Sequence, residues 1–162
     1  MASPPAESPV PYPATATPGR ALPRHYVGCF ACGDLEGGLR MRFTAGDDLT
    51  VRGTVTLDEH HQGAPGLAHG GVLAAAFDEA LGALQTFYGE PAVTASLTTE
   101  YRRPVPIGAV VHLECRVERR EGRKLWTSGA GRLDGPNGPV AVRAQALFVF
   151  VDRAHFARHA AS

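Results

Sequence analysis

Residues 61–79 of the chain read HQGAPGLAHGGVLAAAFDE, and this stretch decides the fold. It opens with a Gly/Pro-rich turn, passes through His69-Gly70-Gly71 and enters an apolar segment. From Val72 to Leu84 every residue is Ala, Leu, Val, Phe or Gly, apart from Asp78 and Glu79. A surface helix needs a polar face. This segment has none, so it is expected to form a helix buried on nearly all sides. A carboxylate on such a helix is costly unless it is paired or has a use. The N-terminus of the same helix presents free backbone N–H groups, which stabilise an anion or oxyanion. An acid and an N–H cradle together point to chemistry on a carbonyl.

Strand patterns flank the helix. Leu39, Met41 and Phe43 alternate with Arg40, Arg42 and Thr44, as in a strand with one apolar face. Gly46-Asp47-Asp48 then turns the chain into an antiparallel partner over residues 49–57. Residues 60–67 are loop, the helix is expected over 69–88, and Gly89-Glu90-Pro91 ends it. Four strand-like runs follow, at 93–103, from 111, at 124–133 and at 140–151. In the first, Thr94, Ser96, Thr98 and Glu100 oppose Val93, Ala95, Leu97 and Tyr101. In the second, Val111, Leu113, Cys115 and Val117 share one face. Glu121-Gly122 and the Asp134–Gly138 loop supply hairpin turns. Two strands, a long buried helix and four strands make an α+β fold, an antiparallel sheet wrapped round one central helix.

The chain has 162 residues, enough for one domain and its core. Sixteen basic residues balance sixteen acidic ones, so no strong field recruits nucleic acid or an anionic membrane. No apolar run approaches the roughly 20 residues of a membrane span. The N-terminus lacks the basic and apolar regions of a signal peptide. Three cysteines do not make a disulfide framework, so a reduced, cytoplasmic protein is expected. The first two dozen residues are rich in Pro, Ala, Ser and Thr and have little to bury; residues 1–28 are expected to be a disordered tail, and 29–162 the domain. Cys29 and Cys32 form a CxxC beside Gly33, which by itself suggests half a zinc site or a redox pair. No second CxxC follows, and His25 and His60 could complete a ligand set only by coincidence of folding, so a structural role with no metal is expected.

The HGG motif, with an acid nine residues after its histidine, resembles the central-helix signature of hotdog-fold acyl-CoA thioesterases of the PaaI-like branch. CFACGDLEGGLRMRF before the first strand and TASLTTEYRRPVPIG after the helix fall in the family's order. The resemblance covers roughly residues 29–151. It implies a hotdog fold, hydrolysis of an acyl-CoA thioester without a cofactor, and a homodimer or dimer of dimers. Related hotdog enzymes carry the cysteine element without needing a metal. Two other functions share the scaffold: a hotdog hydratase or dehydratase, and a non-catalytic binder of acyl-CoA or an acyl carrier protein.

The resemblance gives Asp78 as general base or nucleophile and the N–H of Gly70 as the group that polarises the thioester oxygen. Gly70 and Asp78 lie about 12 Å apart along one helix, so one helix cannot serve one carbonyl with both. Two antiparallel copies related by a two-fold axis can. Thr94, sixteen residues after Asp78, matches a hydroxyl that positions the water or the carboxylate in some relatives. As a β-branched residue it is also simply a good strand former. His69 is a catalytic candidate or an anchor of its loop. On the substrate side stand Gly71, His61 and Glu79; His61 also reads as an ordinary turn residue. Glu79, about 100° round the helix from Asp78, is expected to pair with an arginine. Arg102, Arg103, Arg123 and Lys124 are candidates for the phosphates of CoA, against the alternative of solvated hairpin charges.

Overall fold

A computed structural model describes residues 17–160. The elements run β1 (Arg42–Ala45), β2 (Thr50–Thr56), a 3-10 turn (Glu59–His61), α1 (Gly70–Gly82), a second 3-10 stretch (Ala83–Tyr88), β3 (Ala92–Tyr101), β4 (Val110–Glu121), β5 (Lys124–Arg132), β6 (Val140–Phe150) and α2 (Ala154–His159). The six strands form one sheet in the order β1-β2-β4-β5-β6-β3, with every neighbouring pair antiparallel. Helix α1 packs against β2 through β6. None of the helices among the described residues is long and apolar enough to cross a membrane.

The apolar helix is covered as its composition requires. No residue from Val72 to Gly89 is exposed, and Phe77, Leu81 and Leu84 are fully buried against Val111, Leu125, Ala141 and Val142. Gly131 on β5 makes room for Phe77, because a Cβ there would sit 3.1 Å from its ring. The α-helical part is shorter than the expected 69–88. The Gln85 amide donates to the Gly82 carbonyl and accepts from the Ala92 N–H, tying the tightened last turns to the start of β3. Gly89, with φ 64°, then takes the left-handed conformation that ends the helix.

Strand β3 occupies one edge of the sheet and pairs with β6. Its register shifts between Thr94 and Ser96: Thr94 faces Phe148, Ser96 faces Leu147, and Ala95 is the extra residue. Such a bulge re-aims the side chains on either side of it. Simple alternation groups Thr94 with Ser96, Thr98 and Glu100. The bulge instead turns Thr94 to the helix side, which farther along the strand is the face of Tyr101.

Within the segment 17–28, assigned to the tail from composition, residues 19–22 run along β1. Gly19 donates to the Ala45 carbonyl, Ala45 to that of Arg20, and Leu22 to that of Phe43. Ala21 bridges Thr44, and Arg24 pairs with Asp34. Backbone pairing along an otherwise open strand edge holds residues 19–22 despite their small apolar content, and side-chain contacts to Asp34 and Glu79 hold Arg24 and His25. The rest of the expected tail, residues 1–16, lies outside the described residues.

The packing of α1 yields a direct prediction. Phe77→Ala should cost about 3–5 kcal/mol, as for a fully buried aromatic. Urea unfolding monitored by circular dichroism measures it; a loss below about 1 kcal/mol would contradict the core position of this helix.

Candidate active site

The two ends of α1 differ in chemistry. At its start, His69 is the N-cap, with φ −68° and ψ 132°, and its Nδ1 accepts the Gly71 N–H at 2.9 Å. The helix's own cap therefore uses the Gly71 donor. No acceptor for the Gly70 N–H is found among the described residues. Of the two glycines, Gly70 keeps the donor at the positive end of the helix dipole. The Tyr101 hydroxyl donates to the Gly70 carbonyl at 2.7 Å and accepts from Thr99 at 3.0 Å, fixing the motif against β3.

Eight residues on, the half-buried Asp78 accepts a hydrogen bond from the Thr94 hydroxyl at 2.7 Å. Oδ1 is held in this way. Oδ2 has no protein partner among the described residues. A carboxylate fixed through one oxygen and open at the other can receive a proton or attack an electrophile. Beside it lies a cavity of about 160 Å³, with Met41, Phe43 and Phe148 on its apolar side and Asp78, Thr94 and Gln85 among its polar residues.

Glu79 turns away from Asp78 and meets no arginine among the described residues. Its carboxylate lies 3.2 Å from His25 Nδ1 and accepts from the Cys29 thiol at 3.7 Å. Burial pushes its pKa up, but the hydrogen bond and charge of His25 and the two thiols outweigh burial and hold it below the usual range. The same contact raises the pKa of His25. Burial pushes up the thiols of Cys29 and Cys32.

The other candidates scatter. His61 is 1% exposed, and both ring nitrogens are engaged: Nδ1 accepts the Asp58 N–H at 3.0 Å and Nε2 faces the Gly37 carbonyl at 3.1 Å. It braces the loop before the helix, and neither nitrogen is left for a substrate. Arg102 pairs with Glu100 at 2.6 Å on the far side of the sheet, where it edges an open concavity with Arg116 and Trp126. Arg103 is exposed at the same end of β3, next to the Gly70 end of α1. Arg123 and Lys124 are exposed at the β4–β5 turn, and Lys124 pairs with Val149, which pairs with Val93. They therefore share the Asp78 end of the sheet. Cys115 is buried, its thiol pushed up to about 12 by burial, which fits an inert core residue. Sequence reasoning missed Tyr101 and His25 as partners of the helix. Both contacts depend on pairings with residues distant in the chain.

Residues 65–137 match the family model described as the thioesterase superfamily. The acyl-coenzyme A thioesterase THEM4 of Xenopus laevis is 42% identical over 67 residues, covering 41% of this chain and 30% of that protein. The chain thus spans about a third of the length of this curated relative. A solved structure of a thioesterase superfamily protein is 38% identical with a TM-score of 0.61, covering 67% of this chain and 53% of the other. The PaaI protein of the E. coli phenylacetic acid degradation operon superposes with a TM-score of 0.64 at 16% identity, covering 70% of this chain and 80% of the other. That last likeness is one of fold.

The cap at the helix start separates two roles for His69. His69→Ala should cost about 1 kcal/mol of stability, the usual loss of an N-cap acceptor. His69→Asn, which restores an acceptor, should recover it in the same unfolding measurement. Recovery of stability without recovery of turnover would show that the imidazole does more than cap the helix.

Proposed function

We propose that this chain, whose residues 65–137 match the thioesterase superfamily model and whose fold is that of solved thioesterase structures, hydrolyses acyl-CoA thioesters to the free acid and CoA. The observation that carries this reading is the pairing of Asp78 with Thr94 beside a cavity, on a helix whose N-terminus keeps the Gly70 donor. The Gly70 N–H polarises the thioester oxygen as negative charge develops on it. Asp78 activates a water for attack on the carbonyl carbon, or attacks that carbon itself to form an anhydride that water then opens. In either route the CoA thiolate leaves and takes up a proton. Thr94 positions the carboxylate, and the apolar wall of Met41, Phe43 and Phe148 receives the acyl group.

The working unit in this proposal is a homodimer, alone or within a dimer of dimers. Thr94 marks the Asp78 end of β3 and Tyr101 the Gly70 end. β3 is a ten-residue edge strand with outward-facing backbone groups, the kind of edge that pairs with another chain. Antiparallel pairing of two β3 strands about a two-fold axis near Leu97 and Thr98 sets Thr94 opposite the partner's Tyr101. Each Asp78 is then brought toward the Gly70 end of the other helix, and two equivalent sites form. The same operation brings Arg123 and Lys124 of one chain to the end where the other presents Arg103, a basic rim suited to the CoA phosphates. Three free cysteines are consistent with a reducing, cytoplasmic setting.

Asp78→Asn keeps the shape of the side chain and removes its charge. Turnover of a panel of acyl-CoAs, followed by release of free thiol, should fall by about 10²–10⁴-fold. KM should change much less, because the acid acts on the transition state. If the wild-type chain binds acyl-CoA but releases no thiol from any member of the panel, the non-catalytic binder reading replaces this one.

A further inference from the structure

The CxxC that sequence leaves as half a site acquires its other half in the fold. His25, Cys29, Cys32 and Glu79 each offer one ligand atom, and these atoms all lie within 4.8 Å of one another. His25 Nδ1 is 3.2 Å from Glu79 Oε1 and 3.2 Å from Cys32 Sγ, and Cys29 Sγ is 3.7 Å from Glu79 Oε2. Donors held at about 2.0–2.3 Å by a tetrahedral zinc stand about 3.3–3.8 Å from one another. The three separations lie close to that spacing. The whole set, within 4.8 Å, needs to close by no more than about 1 Å to meet it. From this arrangement we infer that the four side chains form a closed structural Zn²⁺ site.

The surroundings are built for the two sulfurs. The N–H groups of Ala31 and Cys32 point at Cys29 Sγ at 3.3 and 3.4 Å, bonds that orient and stabilise a thiolate ligand. This turn requires Gly33: a Cβ there would lie 2.3 Å from the Val27 carbonyl oxygen and 2.4 Å from that of Cys29. The Arg42 guanidinium holds the Cys32 carbonyl at 2.9 Å from the other side. Two thiolates, an imidazole and a carboxylate suit Zn²⁺, whereas Mg²⁺ and Ca²⁺ prefer oxygen donors. The metal takes the place of the thiol protons, and with four protein donors it keeps no open position for chemistry.

The site joins two distant parts of the chain. Three ligands lie in the segment 25–32 and the fourth on α1, next to Asp78. His25, Cys32 and Glu79 also line the cavity beside Asp78. Zinc therefore pins one wall of that cavity to the central helix. The inference rests on ligand geometry alone and stands whether or not the chain hydrolyses thioesters.

The test uses the full chain produced in zinc-supplemented medium and desalted, with metal measured by inductively coupled plasma mass spectrometry. One zinc per chain is expected, with loss of at least most of it in Cys32→Ser and in His25→Ala. Cobalt added to the metal-depleted wild type should give thiolate-to-cobalt charge-transfer bands and the visible bands of a tetrahedral centre. This spectrum decides the matter even if the variants fold poorly. A wild-type chain without zinc and without that cobalt spectrum overturns the inference. So does zinc retained equally by both folded variants, or a Cys29–Cys32 disulfide in the intact mass of freshly purified protein.

Discussion

A helix rises about 1.5 Å per residue, and the remaining architecture answers to that number. The Gly70 N–H, without an acceptor among the described residues, and the Asp78 carboxylate sit eight residues apart on a helix that the sheet buries. Their separation of about 12 Å cannot shrink without breaking α1. Each end is fixed to β3 by its own hydrogen bond, Tyr101 to Gly70 at one end and Thr94 to Asp78 at the other. A rigid helix and a rigid strand thus hold the two groups apart, and in the proposed mechanism each end supplies half of a site. Symmetry between two chains is the economical way to make them whole.

The extra residue at Ala95 permits both hydrogen bonds at once. In a regular strand, residues separated by an odd number of positions point to opposite faces. Thr94 and Tyr101 differ by seven, and both reach the helix only because the bulge resets the alternation between them. Local irregularity in an edge strand is a common way to aim one side chain at a site.

Much of this was legible in the sequence. The apolar run from Val72 to Leu84 gave away the buried helix, and two-residue alternation gave the strands that wrap it. Asp78 and Glu79 stood out as the two acids on an otherwise apolar segment, and the spacing from the HGG motif singled out Asp78. Contacts that depend on long-range placement were not legible. The alternation of β3 hides its bulge, so Thr94 fell on the wrong face. Nothing local shows that His69 takes the Gly71 donor, or that both nitrogens of His61 are engaged inside the protein. Glu79 was expected to seek an arginine; instead it meets His25 from a segment whose composition resembles a tail. His25 could be named beside Cys29 and Cys32 as a possible ligand from sequence, but nothing local chose it over His60, and the fourth donor, Glu79, lies beyond any local motif.

Complementation between two inactive chains addresses the shared site most directly. Gly70→Pro removes the proposed N–H donor at the first helical position, where proline is tolerated. His69 before it already has the extended backbone that a following proline requires. Neither Gly70→Pro nor Asp78→Asn homodimers should hydrolyse acyl-CoA. In a co-expressed mixture, each heterodimer joins the intact Asp78 of one chain to the intact Gly70 of the other, at one of its two sites. Thiol release should then return to roughly a quarter of the wild-type rate for random pairing. A mixture as inactive as its parents, with heterodimers shown to be present, would contradict a site shared between subunits.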